Sequence, residues 1–313
     1  MSFLSGVFSV KSKTGGFVIV AISAISWGTE AVIAKLCYAE GMNILTLLFF
    51  RFVIMAFIFI LIAKVIGSPI IIPKKYKVPF IKVALLYVVT STGLYSSFAL
   101  MPATLSILFF YSYPALTGLV SRIWYKEGLG WGRIAALIIS GLGLTFLYWT
   151  SIGTIPLAGV MLALIAGIAH SIEINIFARE LTELNKVSYN ACLALLVMII
   201  YGLFNCFAGA WTVNVVSTSG WLYLILLAVF ATALPNYLFA WGVSIVGAID
   251  AAILYLLEPI STAITAFIVF GETLSRKQSG GALLILGAIV LQQIFLRITK
   301  RKPNLSKKVE EDG

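Results

Sequence analysis

Apolar residues along this chain do not alternate, and they do not recur once per helical turn. They run almost unbroken for about twenty residues at a time, the length of a helical bilayer crossing, and polar positions collect between the runs. Read between charges and Pro/Gly breaks, these runs predict ten helices. They lie near 16–37, 44–66, 78–98, 103–124, 130–149, 157–178, 187–209, 220–244, 249–270 and 277–297. The connections are short, so successive helices are antiparallel. The first run is too long for a signal-peptide core and no small-residue cleavage site follows it, so it reads as retained. The expectation is an all-α integral membrane protein of ten transmembrane helices.

Composition sharpens this picture. Of 313 residues, 61% are hydrophobic and 11% charged, and mean hydropathy is +1.05. Soluble domains carry about 25% charged residues, so a soluble enzyme, a disordered chain and a nucleic-acid-binding domain are all excluded. The net charge of +10 matters through its placement. With the N-terminus inside, 18 of the 22 lysines and arginines fall on the cytoplasmic side. They include Lys11, Lys13, the cluster Lys74–Lys82, Arg122, Lys126, Arg133 and the tail from Arg297 to Lys308. The positive-inside rule then puts both termini in the cytoplasm of a cell-membrane protein. The tail at 299–313 reads as an orientation signal, with anionic lipid as a secondary contact. Cys37, Cys192 and Cys206 form no CxxC pair and read as packed thiols.

The chain repeats itself. Pro114 and Pro259 are 145 positions apart, as are Glu127 and Glu272, and Leu129 and Leu274. ISAISWGTE in the first run lies over IAGIAHSIE in the sixth, which sets Glu30 against Glu173. Five spans per half force the second half to enter from the opposite side. This predicts an inverted-topology repeat, 16–149 and 157–298, the usual build of secondary transporters.

These residues resemble the drug/metabolite transporter superfamily, specifically EamA-type carriers. The likeness rests on Pro114 with Glu127, Pro259 with Glu272, the Trp27–Gly28 pair, Arg51 in LLFFRFVI and PATLSILFFYSYPAL at 102–116. It spans roughly 16–298. No arginine occupies the seventh span, and the stretch joining spans three and four is shorter than its counterpart before 249. The resemblance implies alternating-access transport of small metabolites, often export of amino acids or related compounds.

Ionisable residues inside a bilayer cost about 2.5–3.5 kcal/mol each on insertion scales, so they need a partner, water or a task. Glu30, Arg51, Glu173 and Glu258 are such residues, with His170 beside them. Trp27 precedes Glu30 by three positions, as His170 precedes Glu173, so each pair is expected on one helix face. An aromatic wall with a carboxylate suits a zwitterionic or cationic metabolite; a network that only orients helices is the structural alternative. Glu258 precedes Pro259, which frees a carbonyl near Tyr255. Glu258 could bind an amine, carry a coupling proton or pair with a cation. Its first-half counterpart is Tyr113. His170 could exchange protons or be structural. Arg51 reads first as the structural partner of a glutamate such as Glu30, and second as a clamp for a substrate carboxylate. Lys35 is expected to snorkel outward. Glu127 and Glu272 read as structural contacts to helix ends and to basic groups such as Lys126 or Arg276. Pro114 and Pro259 read as kinks and candidate hinges, and Asn236 as a candidate cavity residue.

No nucleophile elbow, HExxH, Walker loop or metal-spaced Cys/His cluster occurs, so no enzyme, metal or cofactor is expected. A nucleotide-sugar or sugar-phosphate carrier, a channel and, more remotely, a membrane-embedded enzyme are the rival readings. Expected partners are a small-molecule substrate, the bilayer and a coupling proton, with no nucleic acid.

Overall fold

The computed structural model describes residues 13–126, 131–149, 153, 155–181, 183–246, 254–255 and 257–301. Its elements are helical. In chain order they are α1 (Lys13–Trp27), α2 (Glu30–Ala39), α3 (Ile44–Ile66), α4 (Lys77–Leu100), α5 (Ala103–Phe110), α6 (Tyr113–Tyr125) and α7 (Trp131–Trp149). They continue as α8 (Leu157–Ile176), α9 (Lys186–Ala208), α10 (Thr218–Ala228), α11 (Leu234–Val246), α12 (Leu257–Phe270) and α13 (Arg276–Arg301). Among the described residues, six helical stretches are long and apolar enough to cross a membrane: Thr14–Ala39, Ile44–Ile66, Lys74–Leu100, Leu157–Ile176, Lys186–Ala208 and Thr218–Phe239. The chain is therefore a multi-pass membrane bundle.

Local chemistry sets the helix ends, because backbone groups left open at a membrane surface need partners. Asn43 accepts the Thr46 N–H at 2.8 Å to start α3. Asn185 accepts those of Val187 and Ser188 at 2.9 and 3.1 Å to start α9. Gly67 and Gly209 end the same two helices at φ of 68° and 58°, a conformation glycine adopts without a steric cost. On α3, Phe57, Leu61 and Val65 form an exposed i, i+4 stripe, while Phe52, Met55 and Phe59 are fully buried. Such a large exposed apolar stripe is unstable in water and suits lipid.

Several expected continuous spans are broken. The first turns at Gly28–Thr29, and the fourth breaks at Tyr111–Ser112 into α5 and α6. The ninth gives the 14-residue helix α12. The physical cause in the last two is proline. Pro114 and Pro259 stand at the start of α6 and α12, where a missing N–H is tolerated, and the chain before them leaves the helical ladder. Five-residue π turns interrupt two other spans, at Phe177–Leu181 after α8 and at Val229–Ala233 between α10 and α11. Of the expected landmarks, Glu127 and most of the tail at 299–313 lie outside the described residues.

Helix contacts come in matched sets. α3 packs on α9 and α7 on α13. α4 lies against α8 as α11 lies against α1. α6 packs on α8 as α12 packs on α1, and α5 meets α12. Exchanging the halves of the chain carries each of these contacts onto another or onto itself.

The α1–α12 contact is the tightest to backbone. A Cβ on Gly28 would stand 2.6 Å from the Glu258 carbonyl oxygen and 2.5 Å from the Ser261 Cβ. Ser261 Oγ donates to the Ile25 carbonyl at 2.9 Å in the same seam. Replacing Gly28 by Ala therefore overpacks a backbone contact, at a cost of about 1–3 kcal/mol. Gly287 on α13 has no heavy atom within 4 Å of its Cβ position and is the control. Gly28→Ala is expected to lower the thermal unfolding midpoint in detergent and Gly287→Ala to leave or raise it. An unchanged midpoint for Gly28→Ala would refute the close approach.

Candidate functional site

Arg51 is the most deeply buried charge described, with 2% of its side chain exposed. α3 carries it into contact with three other helices. Its NH1 group meets Glu30 Oε1, at the start of α2, at 2.8 Å. Its Nε donates to Thr232 Oγ1 at 2.7 Å, and NH1 also donates to the Tyr95 hydroxyl on α4. The guanidinium lies 4.8 Å from the centre of the Tyr95 ring. The π turn at 229–233 is what presents Thr232, since one extra residue in the turn re-aims the side chains around it. Thr232 donates onward to the Leu227 carbonyl at 2.9 Å, and Asn236 Nδ2 donates to the Thr232 carbonyl at 2.7 Å. The bulge thus costs no orphaned carbonyl at Thr232. Removing one partner of such a buried pair leaves a bare charge and costs about 3–5 kcal/mol.

Glu258 forms a second centre on α12 and is 9% exposed. Tyr111, at the α5–α6 break, brings its hydroxyl 2.9 Å from Glu258 Oε2 and 2.7 Å from the Tyr255 carbonyl. Pro259 deprives that carbonyl of its usual donor four residues on, and it accepts the Glu258 N–H instead at 3.0 Å. A hydroxyl has one proton, so Tyr111 serves one acceptor at a time. The Tyr255 hydroxyl shares a hydrogen bond with Ser23 Oγ at 3.1 Å. Trp27 and Phe239 pack on the Tyr255 ring at 5.4 and 5.0 Å between centres.

His170 and Glu173 form the third centre, on α8, with Nδ1 and Oε2 3.2 Å apart and 25% and 11% of their side chains exposed. Tyr113 stands edge-on to the His170 ring at 4.8 Å, and Phe110 packs on it at 5.4 Å. Tyr111 and Tyr113 are 5.4 Å apart, so the rings connect the second and third centres. Gly167 makes this possible: its Cβ position lies 3.0 Å from the Phe110 carbonyl oxygen, leaving α8 seated on the break. Glu30 lies within electrostatic reach of Glu258, and Glu30 and Glu173 both act on Tyr87. Glu258 and the His170–Glu173 pair are linked through the Tyr111 and Tyr113 rings.

The sequence reading and the structure part company at three points. Trp27 and Glu30 do not share a continuous helix face, because the turn at Gly28–Thr29 lies between them. Trp27 joins the Tyr255 rings and Glu30 joins Arg51. Lys35 does not extend toward solvent as a free cation. It pairs with Glu272 Oε1 at 3.2 Å and donates to the Met101 carbonyl at 3.0 Å. Glu272 thus takes Lys35, not Arg276, as its described ion-pair partner, and it accepts the N–H groups of Ala103 and Thr104 at 3.1 and 3.3 Å. A carboxylate on these open N–H groups caps α5, aided by the helix dipole. Thr232, Tyr255 and Phe239 are site neighbours that the sequence reading did not single out as site residues. The position of Tyr255, four residues before Pro259, was the available signal for one of them.

The apolar helical stretches and the buried polar centres between them are those of a multi-pass membrane bundle. The description "EamA-like transporter family" matches residues 14–149 and again 157–292, and the chain belongs to that family, within the drug/metabolite transporter superfamily. A protein of Archaeoglobus fulgidus described as an "Uncharacterized transporter" is 39% identical over 71 residues. That match takes in 22% of this chain and 26% of the relative, so the chain spans about a quarter of the curated relative it matches. A solved structure described only as "Crystal structure of protein" superposes with a TM-score of 0.67 at 17% identity, over 92% of this chain and 99% of that one. It supports the fold alone.

Two outcomes test these contacts. Glu30→Gln strands the Arg51 charge, and Arg51→Met strands Glu30. Each single change is expected to lower stability in detergent by about 3–5 kcal/mol, and the double change by less than the sum. Additive losses in unfolding measurements would show that the pair is not coupled. Glu272→Ala is expected to cost about 1–2 kcal/mol through the lost α5 cap, and Lys35→Met to cost less. The reverse ranking would assign the contact to the ion pair.

Proposed function

We propose that this chain is a carrier of small polar metabolites, such as amino acids or related compounds, working by alternating access between two inverted five-helix repeats at 16–149 and 157–298. The observation that carries the reading is that both buried centres are built across the halves. Arg51 of the first half, paired there with Glu30, holds Thr232 of the second, and Tyr111 of the first holds Glu258 of the second. A substrate bound there would contact both halves, and rocking one against the other would change which side reaches it. The matched helix contacts and the two successive family matches support the inverted repeat. The ten-span count, with both termini in the cytoplasm of a cell membrane, rests on the lysine and arginine asymmetry.

Candidate substrate contacts are Glu258, Trp27, Tyr113, His170 and Glu173. Glu30 and Asn236 act through Arg51 and the π turn. Pro114 and Pro259, each just after a break, are the proposed hinges. The outward direction is taken from the family resemblance. A proton moving the other way fits the carboxylates, since Glu258 has only a hydroxyl partner among the described residues. Sugar-phosphate or nucleotide-sugar transport would need an available cation, and Arg51 is occupied by Glu30.

Counterflow in proteoliposomes, with amino acids, amines and sugar phosphates and with or without a pH gradient, tests the reading. Saturable exchange of one amine-bearing class, accelerated by the gradient, is expected. Conductance that does not saturate would replace the carrier with a channel, and exchange of sugar phosphates would overturn the substrate class.

A further inference from the structure

The charges around the central region do not balance. Three carboxylates belong to these centres, Glu173 and Glu258 buried and Glu30 partly exposed. Glu30 is neutralised by Arg51 at 2.8 Å. Glu173 Oε2 shares a hydrogen bond with His170 Nδ1 at 3.2 Å. Glu258 has no cation within 4 Å among the described residues; its only described side-chain hydrogen bond comes from the Tyr111 hydroxyl, to Oε2. Lys35 cannot supply the missing charge, because it is held on Glu272 and the Met101 carbonyl. A carboxyl group that is nine-tenths buried either holds a proton or meets a cation, so a bound cation can take the proton's place on Glu258.

The surroundings specify what kind of charge. Tyr111 touches Glu258 directly, and Tyr255 stands one turn away with its carbonyl on the same Tyr111 hydroxyl. Trp27 and Phe239 extend the wall from Tyr255, and Tyr113 extends it from Tyr111. Ring faces carry negative potential and attract a cation within about 6 Å of their centres. The same faces repel an anion, and Glu258 repels it further. A hydrated metal ion is poorly matched by this wall, whereas an organic ammonium group can meet rings and carboxylate together.

We infer that the site takes an organic ammonium group, with Glu258 as its charged anchor and Tyr111, Tyr255 and Trp27 as its aromatic wall. This rests on the carrier reading for the location of the site and narrows it to one substrate chemistry. Any carboxylate on the substrate would then have to point away from Glu258, so amines lacking a carboxylate should bind at least as well as the corresponding amino acids.

Titration calorimetry on the full chain in detergent tests this with three probes of similar size. These are 2-phenylethylammonium, neutral 2-phenylethanol and anionic phenylacetate. The amine is expected to bind saturably, at least about tenfold more tightly than the alcohol, as a charge-assisted contact requires. Phenylacetate is expected not to bind. Glu258→Gln keeps an acceptor for Tyr111, and it is expected to weaken the amine about tenfold while leaving the alcohol unchanged. The unchanged alcohol reports that the walls are still folded. Phenylacetate binding as well as the amine, full amine affinity in Glu258→Gln, or no amine binding to the wild-type chain would each overturn the inference. The three-probe comparison on the wild-type chain decides the matter even if the variant fails to fold. Binding is read without a membrane or gradient, so its failure speaks against the ammonium site, whereas absent counterflow speaks against the carrier.

Discussion

A guanidinium that is 2% exposed constrains the whole centre of this molecule. Burying an ion costs several kcal/mol even after relaxation, and the cost is recovered only where geometry and hydrogen bonds are good. Here recovery takes a carboxylate from α2, a hydroxyl from the π turn after α10 and a phenol from α4. None of these elements can shift far without exposing Arg51 to an apolar surround. The π turn is part of the same constraint. It presents Thr232 to Arg51, and Asn236 then occupies the Thr232 carbonyl. Arg51 is thus better described as the fastener of the bundle than as a hand held out to substrate.

The Glu258 centre has the opposite character. Its anchor is a helix break, and breaks are tolerated in a bilayer only where protein or water occupies the freed backbone. Tyr111 does this for Tyr255 from the other half of the chain, itself standing at a break. Two interrupted helices therefore complete one another. The close seams on either side, at Gly28 against Glu258 and at Gly167 against Phe110, show how little space the surrounding backbone leaves. A fastened Arg51 beside a carboxylate with a single hydroxyl partner is the contrast expected where one part of a bundle is held and another can exchange partners.

Much of this was legible in the sequence. Runs of apolar residues define the spans, because a bilayer demands length and apolarity and little else. The 145-residue offset of Pro114 from Pro259 marks the helix starts that follow both breaks. The ionisable residues Glu30, Arg51, Glu173 and Glu258 stand out because their cost in lipid is high. What was not legible depends on side-chain direction and on backbone breaks. Helical spacing placed Trp27 and Glu30 on one face, but Gly28, needed for contact with α12, allows a turn that separates them. Lys35 reads from the sequence only as a cation snorkelling outward, because its partner, Glu272, is 237 positions away. Thr232 gave no signal at all, since a π turn changes the register without requiring a distinctive residue.

The halves repeat their backbone more faithfully than their chemistry, and this asymmetry bears on mechanism. Trp27 and Glu30 overlie His170 and Glu173, yet the first pair is pulled apart and the second is bonded to itself. Glu258 overlies Tyr113, so the carboxylate has no charged twin. Exchanging the halves, as alternating access does in an inverted repeat, would carry the helix contacts onto equivalent ones but could not carry the charge. A substrate bound at Glu258 would therefore remain with the second half through the cycle. The first half would alternate around it through the uncharged rings of Trp27, Tyr111 and Tyr113. In the proposed carrier the scaffold would open to either side, and the single carboxylate at Glu258 would make the two openings chemically different.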